Sequence, residues 1–433
     1  MLDRLEKLGI RLGLENVRHL LAGLGDPQLR FPSVLVAGSN GKGSTSALLA
    51  AMASAAGYRT GLYTSPHLES VEERIRYQGL VIDPGHLAQL LQEVVRTAEK
   101  EQGTPPTYFE AVTAAAFLFF AERKVDLAIL EVGMGGRLDA TNVCDPVLSL
   151  ITSISLEHRE HLGDTLAAIA REKAGTFRPG RPALVWLEEP EPSEAVRTVA
   201  EELGTDLRFA PEIVSVREII PRGMDGQRVK LVTPRGEHDL ETRLPGTHQA
   251  KNLALAVLAA ETLRETGFEI SPKAIAEGAR TCRWPGRLER ISLPGGRLVL
   301  LDAAHNPEGT AALARFLEGF PEPFDLLFGA LGDKDAAEML GSLAPRVRKI
   351  FLTRPESDRA REPKELAALL PGRGDVEVPS NLERALAKGL PLNARLLVCG
   401  SIYLAGEVRK KLRERFGIPG PASEPLYPLP NPR

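Results

Sequence analysis

The stretch of sequence that decides the fold is Val34-Leu35-Val36-Ala37-Gly38-Ser39-Asn40-Gly41-Lys42-Gly43-Ser44-Thr45, in which an apolar strand leads through a glycine-rich turn into a helix. The glycines let backbone N–H groups turn toward an anion, and the helix points its positive end at the same place. Lys42 adds a mobile cation. The stretch therefore predicts a loop that binds the phosphates of a nucleotide, and the alternative is a glycine-rich connection without a ligand.

This loop departs from the common phosphate-loop pattern at two positions. The pattern has a glycine five residues before Gly41 and a hydroxyl directly after the lysine, where this sequence has Val36 and Gly43. The nearest hydroxyl belongs to Ser44, which lies about 100° further round the helix. If this shift removes Ser44 from a metal ion, Mg²⁺ needs a hydroxyl from elsewhere in the chain.

Length and composition indicate a globular protein of two domains. Its 433 residues exceed what one core usually holds, and 43% hydrophobic with 26% charged residues is an ordinary balance. A net charge of −3 gives no electrostatic reason to expect nucleic acid or a membrane as a partner. Cys144, Cys282 and Cys399 are far apart in apolar sequence, which is typical of core residues in a reducing compartment. Because the start is unlike a signal peptide and no apolar run approaches a membrane span, we expect a cytoplasmic protein.

Alternating strands and helices predict an α/β fold in residues 1–284, with a doubly wound and mainly parallel sheet around the phosphate loop, as in P-loop ATPases. The strand at 125–131 is too continuously apolar for a sheet edge, so we place it in the middle of the sheet. Residues 206–244 change character. Two strand-like runs there, at 213–220 and 227–233, flank a hairpin-type turn and predict a small β-rich subdomain.

A second α/β unit, Rossmann-like in its alternation, is predicted over residues 297–418. The recurrence of proline and glycine at 285–296 indicates a linker between the two units. Residues 419–433 contain six prolines, and we expect this tail to be disordered.

Two residues at predicted strand ends are candidate metal ligands. Glu131 ends the buried strand one sheet position from the phosphate loop, where a nucleotide-dependent enzyme needs a carboxylate for Mg²⁺. A solvated acid at a strand end is the alternative. Ser65 follows another predicted strand and could supply the hydroxyl that the loop lacks, although taken alone it is most simply a turn serine before proline.

Two further residues have side chains that call for a partner. His158 follows the strand at 147–152, where a lone histidine is more often a structural hydrogen-bonder than a ligand. Lys173 lies seven residues after Leu166, on the apolar face of the predicted helix 165–174. A buried ammonium without a partner costs several kcal/mol, so either Lys173 reaches solvent or an anion lies beside it.

Polar turns from both units are candidates to line a cleft between them. Asp302-Ala303-Ala304-His305-Asn306-Pro307 ends a strand of the second unit with polar groups in a tight turn. Gln249 and Asn252 lie three residues apart at the start of a predicted helix and so share one face. Two-domain enzymes commonly bind their ligands in such a cleft.

Taken in order along the chain, these motifs resemble those of folylpolyglutamate synthase and dihydrofolate synthase, a family of the Mur-ligase-like, ATP-dependent amide ligases. The resemblance covers roughly residues 30–410 and includes Trp284-Pro285-Gly286-Arg287 and Glu172-Lys173-Ala174-Gly175. The other matching motifs are residues 37–44, 64–68, 73–75, 131–142 and 302–307. Ser39 stands where the family often has threonine and Glu157 where it commonly has aspartate, and both keep the functional group.

The resemblance implies a reaction and a set of site residues. ATP would phosphorylate the terminal carboxylate of a folate, or of dihydropteroate, and the amine of L-glutamate would attack the acyl phosphate. Lys42, Lys173 and His158 would be catalytic, and a monomer is implied. By position, ATP contacts would come from Gly38, Ser39, Asn40, Gly41, Lys42, Gly43, Ser44, Asn252, Arg287 and Asp302. Mg²⁺ would be held at two sites, one by Ser65 and Glu131 and one by His158 with Lys173 as its carbamate. Substrate contacts would come from Arg74, His305 and Ser401.

Two other functions remain open from the sequence. A ligase that adds an amino acid to a UDP-linked muropeptide would carry a nucleotide-sugar domain before the ATP loop, and Lys42 comes too early for one. A nucleotide-gated binding module without ligase activity would need neither a second metal nor a second α/β domain of this kind.

Overall fold

The structure is a computed structural model that describes Leu5, Gly9 and residues 11–101, 104–421 and 423–429. The described strands are β1 (Ser33–Ala37), β2 (Thr60–Tyr63), β3 (Ile75–Tyr77), β4 (Leu80–Val81), β5 (Leu127–Glu131), β6 (Pro146–Ile151), β7 (Pro182–Val185), β8 (Asp206–Phe209), β9 (Ser215–Pro221), β10 (Gln227–Thr233), β11 (Gly236–Thr242), β12 (Glu289–Leu293), β13 (Arg297–Leu301), β14 (Phe324–Phe328), β15 (Val347–Leu352), β16 (Val376–Glu377) and β17 (Arg395–Cys399). The described helices are α1 (Glu15–Gly23), α2 (Lys42–Ala55), α3 (Pro84–Lys100), α4 (Tyr108–Glu122), α5 (Arg159–Leu162), α6 (Leu166–Ala174), α7 (Pro190–Leu203), α8 (Ala210–Ile213), α9 (Thr247–Thr262), α10 (Pro272–Thr281), α11 (Pro307–Leu317), α12 (Ala336–Leu343), α13 (Pro363–Ala368), α14 (Leu382–Gly389) and α15 (Ile402–Phe416).

The N-terminal domain is built on an eight-stranded sheet with the order β4-β3-β2-β5-β1-β6-β7-β8. Its strands pair in parallel from β2 to β8, and only the β2–β3 and β3–β4 pairs are antiparallel. The apolar strand β5 lies between β2 and β1, which confirms its predicted place in the middle of the sheet. The carboxyl ends of β1, β5 and β6 therefore meet at one edge, directly beside the phosphate loop.

The predicted β-rich subdomain is an antiparallel sheet of β11, β10 and β9. On β10, residues alternate between the buried and the less buried face, so that Val229 and Leu231 point into the core. They pack there with Leu253 and Val257 of α9. The subdomain thus covers the helix that carries Asn252.

The C-terminal domain is a six-stranded sheet with the order β12-β13-β17-β14-β15-β16, parallel except for the β12–β13 pair. Strand β12 falls inside the predicted linker 285–296, so that prediction is wrong for Glu289–Leu293. The physical reason is a period-two pattern in which Ile291 and Leu293 are buried between more exposed neighbours. Pairing with β13 places the start of this domain directly after Arg287.

The tail also differs from its predicted disorder over residues 423–429. Leu426 and Tyr427 are 1% and 2% exposed, and they join the core of the N-terminal domain. The Tyr427 hydroxyl lies 3.0 Å from Thr60 Oγ1, and the Leu426 amide donates to Gly79 O at 3.1 Å. A pair of large apolar residues among prolines gains enough burial to hold the tail, and proline lowers the entropy that ordering costs.

Two expectations from composition concern the core and the membrane. Cys144, Cys282 and Cys399 are unpaired and buried, as predicted for small core residues. Within the described part of the chain, none of the helices has the length and apolar character needed to cross a membrane.

The packing of the tail predicts an unequal effect of two leucine substitutions in it. Leu426→Ala should lower the free energy of unfolding by about 2–5 kcal/mol, because it opens a cavity in a closed core. Leu429→Ala, at a side chain that is 56% exposed, should change it by less than about 0.5 kcal/mol. Urea denaturation of both variants checks this, and equal midpoints would contradict the packed tail.

Candidate active site

The phosphate loop joins the central strand β1 to α2, with Gly38 and Gly41 at positive φ. Neither position leaves room for a side chain. A Cβ on Gly38 would lie 2.0 Å from Thr152 Oγ1, and one on Gly41 would lie 2.4 Å from Asn252 Oδ1. Lys42 Nζ donates to the carbonyl oxygen of Gly38 at 2.7 Å. The loop is therefore a closely packed backbone turn between a strand and a helix, with the Lys42 cation bonded to its backbone.

Glu131 lies at the end of β5, opposite Val36 of β1 in the parallel register. Its Oε2 accepts the amide N–H of Ser65 at 3.1 Å, which brings together the two residues predicted to hold one metal ion. Burial raises the pKa of Glu131, while Lys42 and the Ser65 amide act in the opposite direction. The negative charge of this buried carboxylate is only partly compensated by its neighbours, and a serine lies beside it. These oxygen donors suit a hard cation such as Mg²⁺.

This donor set is small. Among the residues described, no group of three or more His, Cys, Asp or Glu side chains is arranged to hold a metal ion. Mg²⁺ commonly binds through one or two protein ligands together with phosphate oxygens and water. The residues present therefore fit a magnesium ion that arrives with a nucleotide, and they do not form an all-protein cage.

Lys173 is fully enclosed behind the loop at 1% exposure. Its Nζ donates to Glu157 Oε1 at 2.7 Å and to Gly38 O at 3.0 Å, so the anion expected beside the buried lysine is Glu157. Burial lowers the pKa of Lys173 to about 8, although attraction to Glu157 opposes this. For Glu157, burial alone would raise the pKa, but the charges of Lys173 and Lys42 outweigh it and lower the pKa to about 2. The structure thus holds an ion pair whose lysine is easier to deprotonate than a free one.

The second domain contributes a turn at the end of β13. Asp302 accepts the amide N–H groups of Leu288 and Ala304, both at 2.8 Å, so its carboxylate fixes the backbone next to Arg287. Burial raises the pKa of Asp302, and Arg287 and the two amides oppose the shift. The Asp302 carboxylate therefore stabilises the turn, and it is also the group predicted to contact ATP.

Direct hydrogen bonds join this turn to the phosphate loop. Asn306 Nδ2 donates to Asn40 Oδ1 at 3.0 Å, and Asn40 Nδ2 donates to Glu308 Oε2 at 2.5 Å. His305 Nδ1 lies 2.9 Å from the carbonyl oxygen of Ala303. Burial lowers the pKa of His305 to about 4, so this ring is neutral near pH 7. The domains therefore meet at the loop itself.

Between the domains lies a cleft of about 770 Å³. Most predicted site residues line it: Ser39, Asn40, Gly41, Lys42, Gly43, Ser44, Ser65, Glu131, His158, Asn252, Arg287, Asp302 and His305. Four predicted residues are not among its lining. Of these, Gly38 belongs to the loop itself, and Lys173 lies behind the loop and donates to the Gly38 carbonyl oxygen.

Arg74 and Ser401, predicted to contact substrate, are held in other interactions. Arg74 Nε donates to His67 Nδ1 at 3.0 Å, and its guanidinium lies 5.1 Å from the centre of the Tyr108 ring. Ser401 is 1% exposed and caps α15 by accepting the amide N–H of Tyr403 at 3.2 Å. Both side chains are thus engaged in local contacts, and neither lines the cleft.

Sequence reasoning missed several residues that line the cleft or its back wall. Glu308 and Arg315 both line the cleft from α11, and their spacing of seven residues, two helical turns, would have placed them on one face. His248 lines it from the start of α9, where burial lowers its pKa to about 4. No local pattern pointed to Glu157 as the partner of Lys173.

Two family models match the chain: the Mur ligase middle domain over residues 36–260, and the Mur ligase, glutamate ligase domain over residues 286–402. The dihydrofolate synthase/folylpolyglutamate synthase of Bacillus subtilis is 35% identical over 419 residues, which is 94% of this chain and 96% of the relative. A Haloferax volcanii relative, named a probable bifunctional folylpolyglutamate synthase/dihydropteroate synthase, is 37% identical over 94% of this chain, which spans about half (49%) of that relative's length.

Solved structures show the same architecture. FolC of Escherichia coli in complex with DHPP and ADP has a TM-score of 0.83 and 33% identity, over 96% of this chain and 97% of that one. A bifunctional folylpolyglutamate synthase/dihydrofolate synthase solved with Mn, AMPPNP and L-glutamate bound has a TM-score of 0.82 and 32% identity, over 95% and 97%. On these sequence and structural matches, the chain belongs to the folylpolyglutamate synthase/dihydrofolate synthase family of Mur ligases.

Proposed function

We propose that the protein is an ATP-dependent ligase that adds L-glutamate to folates, with dihydropteroate as a second acceptor, through an acyl phosphate on the acceptor's carboxylate. The observation that carries the proposal is the meeting of three elements in one cleft. These are the phosphate loop, the buried carboxylate of Glu131, and the polar turn of the second domain that bonds to the loop. The name of the Bacillus subtilis relative carries both activities.

The loop and its neighbours would bind ATP. Lys42, Gly41 and Gly43 of the loop line the cleft, and α2 begins there and directs its positive end toward the place where the phosphates would lie. Gln249 Nε2 donates to Ser44 Oγ at 3.2 Å, and Asn252 Nδ2 donates to Gln249 Oε1 at 2.9 Å. This series of bonds ties α9 to α2, so that Asn252 is held at the mouth of the loop.

In the reaction, a carboxylate oxygen of the folate would attack the γ-phosphorus, and ADP would leave. The amine nitrogen of glutamate would then attack the acyl carbon, so that a C–N bond forms, phosphate departs and the amine gives up a proton. Lys42 and Arg287, which both line the cleft, would stabilise the charge on the moving phosphoryl oxygens. The covering second domain would keep water from the acyl phosphate.

Glu131 and Ser65 would hold one Mg²⁺ together with phosphate oxygens, and His158 with a carbamate on Lys173 would hold a second. When bound, the metal ions supply positive charge that neutralises the phosphoryl group. The neighbour solved with Mn and AMPPNP is consistent with a divalent metal in this family.

The carbamate on Lys173 is supported by the state of its amine. CO₂ reacts with a neutral amine, forming an N–C bond and releasing one proton. Because burial lowers the pKa of Lys173 to about 8, more of this amine is neutral at pH 7 than of an ordinary lysine. We further propose that the ligase is a cytoplasmic monomer, and its unpaired buried cysteines suit a reducing compartment.

The proposed reaction predicts that phosphate release from ATP requires both an acceptor and glutamate. Purified protein with Mg²⁺ should release phosphate only when L-glutamate and tetrahydrofolate or dihydropteroate are both present, with a product heavier by one glutamyl unit. Comparing the two acceptors ranks them. Release that is indifferent to glutamate and acceptor would contradict the ligase.

The role of Glu131 predicts a contrast between the two ends of one strand. Glu131→Gln should lower turnover by about 10²–10³, the usual cost of removing one charge stabiliser from such a site. The matched control is Asp126→Asn just before the opposite end of β5, where Asp126 accepts a hydrogen bond from Arg59 Nη2 at 2.6 Å outside the cleft. Steady-state rates with thermal unfolding checks decide the point, and equal losses in both variants would refute the assignment.

The carbamate predicts a specific spectroscopic signal. Protein equilibrated with ¹³C-bicarbonate and Mg²⁺ should show a carbamate carbon resonance by NMR, and Lys173→Met should lose it. Lys388→Met, which removes a lysine that is 56% exposed on the second domain, should retain it. If the signal is missing from the wild-type protein, or persists in Lys173→Met, then Lys173 is not carbamylated.

A further inference from the structure

Arg409, on α15 of the second domain, is almost completely buried at 3% exposure although it is charged. Its Nε donates to Glu289 Oε1 at 3.0 Å, and its Nη1 donates to Glu69. Arg413 Nε adds a further bond to Glu69 Oε2 at 3.1 Å. Attraction to Glu289 and Glu69 outweighs burial and raises the pKa of Arg409. We call Glu69, Arg409 and Glu289 the interdomain triad, because Glu69 belongs to the N-terminal domain and the other two to the C-terminal domain.

The first arm of the triad leads to Ser65. Glu69 lies four residues after Ser65, in the turn between β2 and β3. This turn is stiff, because the carboxylate of Glu73 accepts the amide N–H groups of Leu68, Glu69 and Ser70 at 3.2, 2.7 and 2.9 Å. A constraint on Glu69 is therefore transmitted along a short, internally bonded segment to Ser65, whose amide bonds Glu131.

Helix α15 also rests directly on this turn. A Cβ on Gly406 would lie 1.8 Å from the carbonyl oxygen of Leu68, so a side chain there would force the two apart. Gly406 and Arg409 lie three residues apart, on one face of the helix. The close approach and the ion pair thus act at the same contact.

The second arm leads to Arg287. Glu289 Oε2 accepts the amide N–H of Gly286 at 2.9 Å while Oε1 is bound by Arg409. Arg287 follows Gly286 directly and lines the cleft. The same guanidinium is therefore connected, through one carboxylate on each side, to the backbone beside Ser65 and to the backbone beside Arg287.

The burial of the charges at this contact predicts a large effect of mutation. The Glu69 and Arg409 side chains are 3% and 4% exposed, so solvent does not screen them. Removing the arginine would leave the buried Glu69 carboxylate with Arg413, which is 35% exposed, and would leave Glu289, which is 19% exposed, with the Gly286 amide. The turn would then have to move to hydrate Glu69. A shift of the order of 1 Å in a positioning segment can cost about 10² in rate.

We infer that Arg409 is a positioning residue for the ligase reaction, which sets Ser65 of one domain and Arg287 of the other in their working places. The inference rests on the proposed function, since it concerns the reaction in the same cleft. Arg409 itself does not line the cleft. It acts on catalysis through Glu69 and Glu289.

The test compares Arg409→Met with Arg348→Met. Arg348 makes a two-bond pair with buried Asp325 in the same domain, at 2.9 and 2.8 Å, away from the interdomain triad. Arg409→Met should lower kcat of glutamate-dependent ATP turnover by about 10–100-fold and raise the Mg²⁺ concentration needed for half-maximal rate. Arg348→Met should leave both unchanged, even where it lowers the unfolding temperature. A kcat of Arg409→Met equal to that of Arg348→Met would overturn the inference.

A double-mutant cycle separates positioning from general damage. If Arg409 acts partly through Ser65, then Arg409→Met should cost a smaller factor in a Ser65→Ala background than in the wild-type protein. Equal factors in both backgrounds would overturn the inference. If Arg409→Met does not fold, Glu69→Gln takes its place in the same cycle. Arg409→Lys keeps the positive charge and should retain part of the wild-type kcat. A wild-type protein that lacks glutamate-dependent turnover would refute the proposed function, an outcome distinct from a failed cycle.

Discussion

The tight space at the end of β1 constrains the arrangement of the whole molecule. The loop that follows has no room for a side chain at Gly38 or Gly41, because Thr152 and Asn252 press against it from two sides. Thr152 directly follows β6 and Asn252 lies in the second turn of α9, so both elements must approach the loop closely at this point. The amides of Ser39 and Asn40 bond to Ser153, while residues 39–44 line the cleft that the second domain covers.

Three buried carboxylates around this loop are compensated to different degrees. Glu157 faces a lysine, which keeps its pKa low. Asp302 accepts two backbone amides, and Glu131 accepts the Ser65 amide, yet burial raises the pKa of both. Both carboxylate oxygens of Asp302 accept backbone amides of its turn, whereas Glu131 ends a strand directly at the cleft. The excess negative charge at the mouth of the loop therefore belongs to Glu131, which is where an incoming cation gains most.

Features that depend on neighbouring residues could be predicted from the sequence, whereas contacts between residues far apart in the chain could not. The strand-loop-helix stretch, the continuous apolar run of β5 and the position of Glu131 are local features, and the structure confirms them. Strand β12 has a local signal too, its period-two pattern, although the surrounding prolines and glycines indicate a linker. The contact of Arg409 with Glu69 was not within reach, because it joins residues 340 positions apart and neither lies in a motif. The partner of Lys173 could not be predicted for a related reason, because helical periodicity shows that the lysine is buried without showing which side chain faces it.

The ion pair at Lys173 also limits when a carbamate can exist there. The amine lies 2.7 Å from Glu157, so converting it to a carbamate would replace an attraction with the contact of two anions in a buried place. Such a contact needs positive charge beside the two groups, and Lys42, whose charge already helps to lower the pKa of Glu157, supplies part of it. A divalent metal would add the charge that remains to be compensated, so the proposed carbamate on Lys173 and the proposed metal would be thermodynamically linked. Each should strengthen the other, and the lysine–glutamate pair is the state that the protein keeps when both are absent.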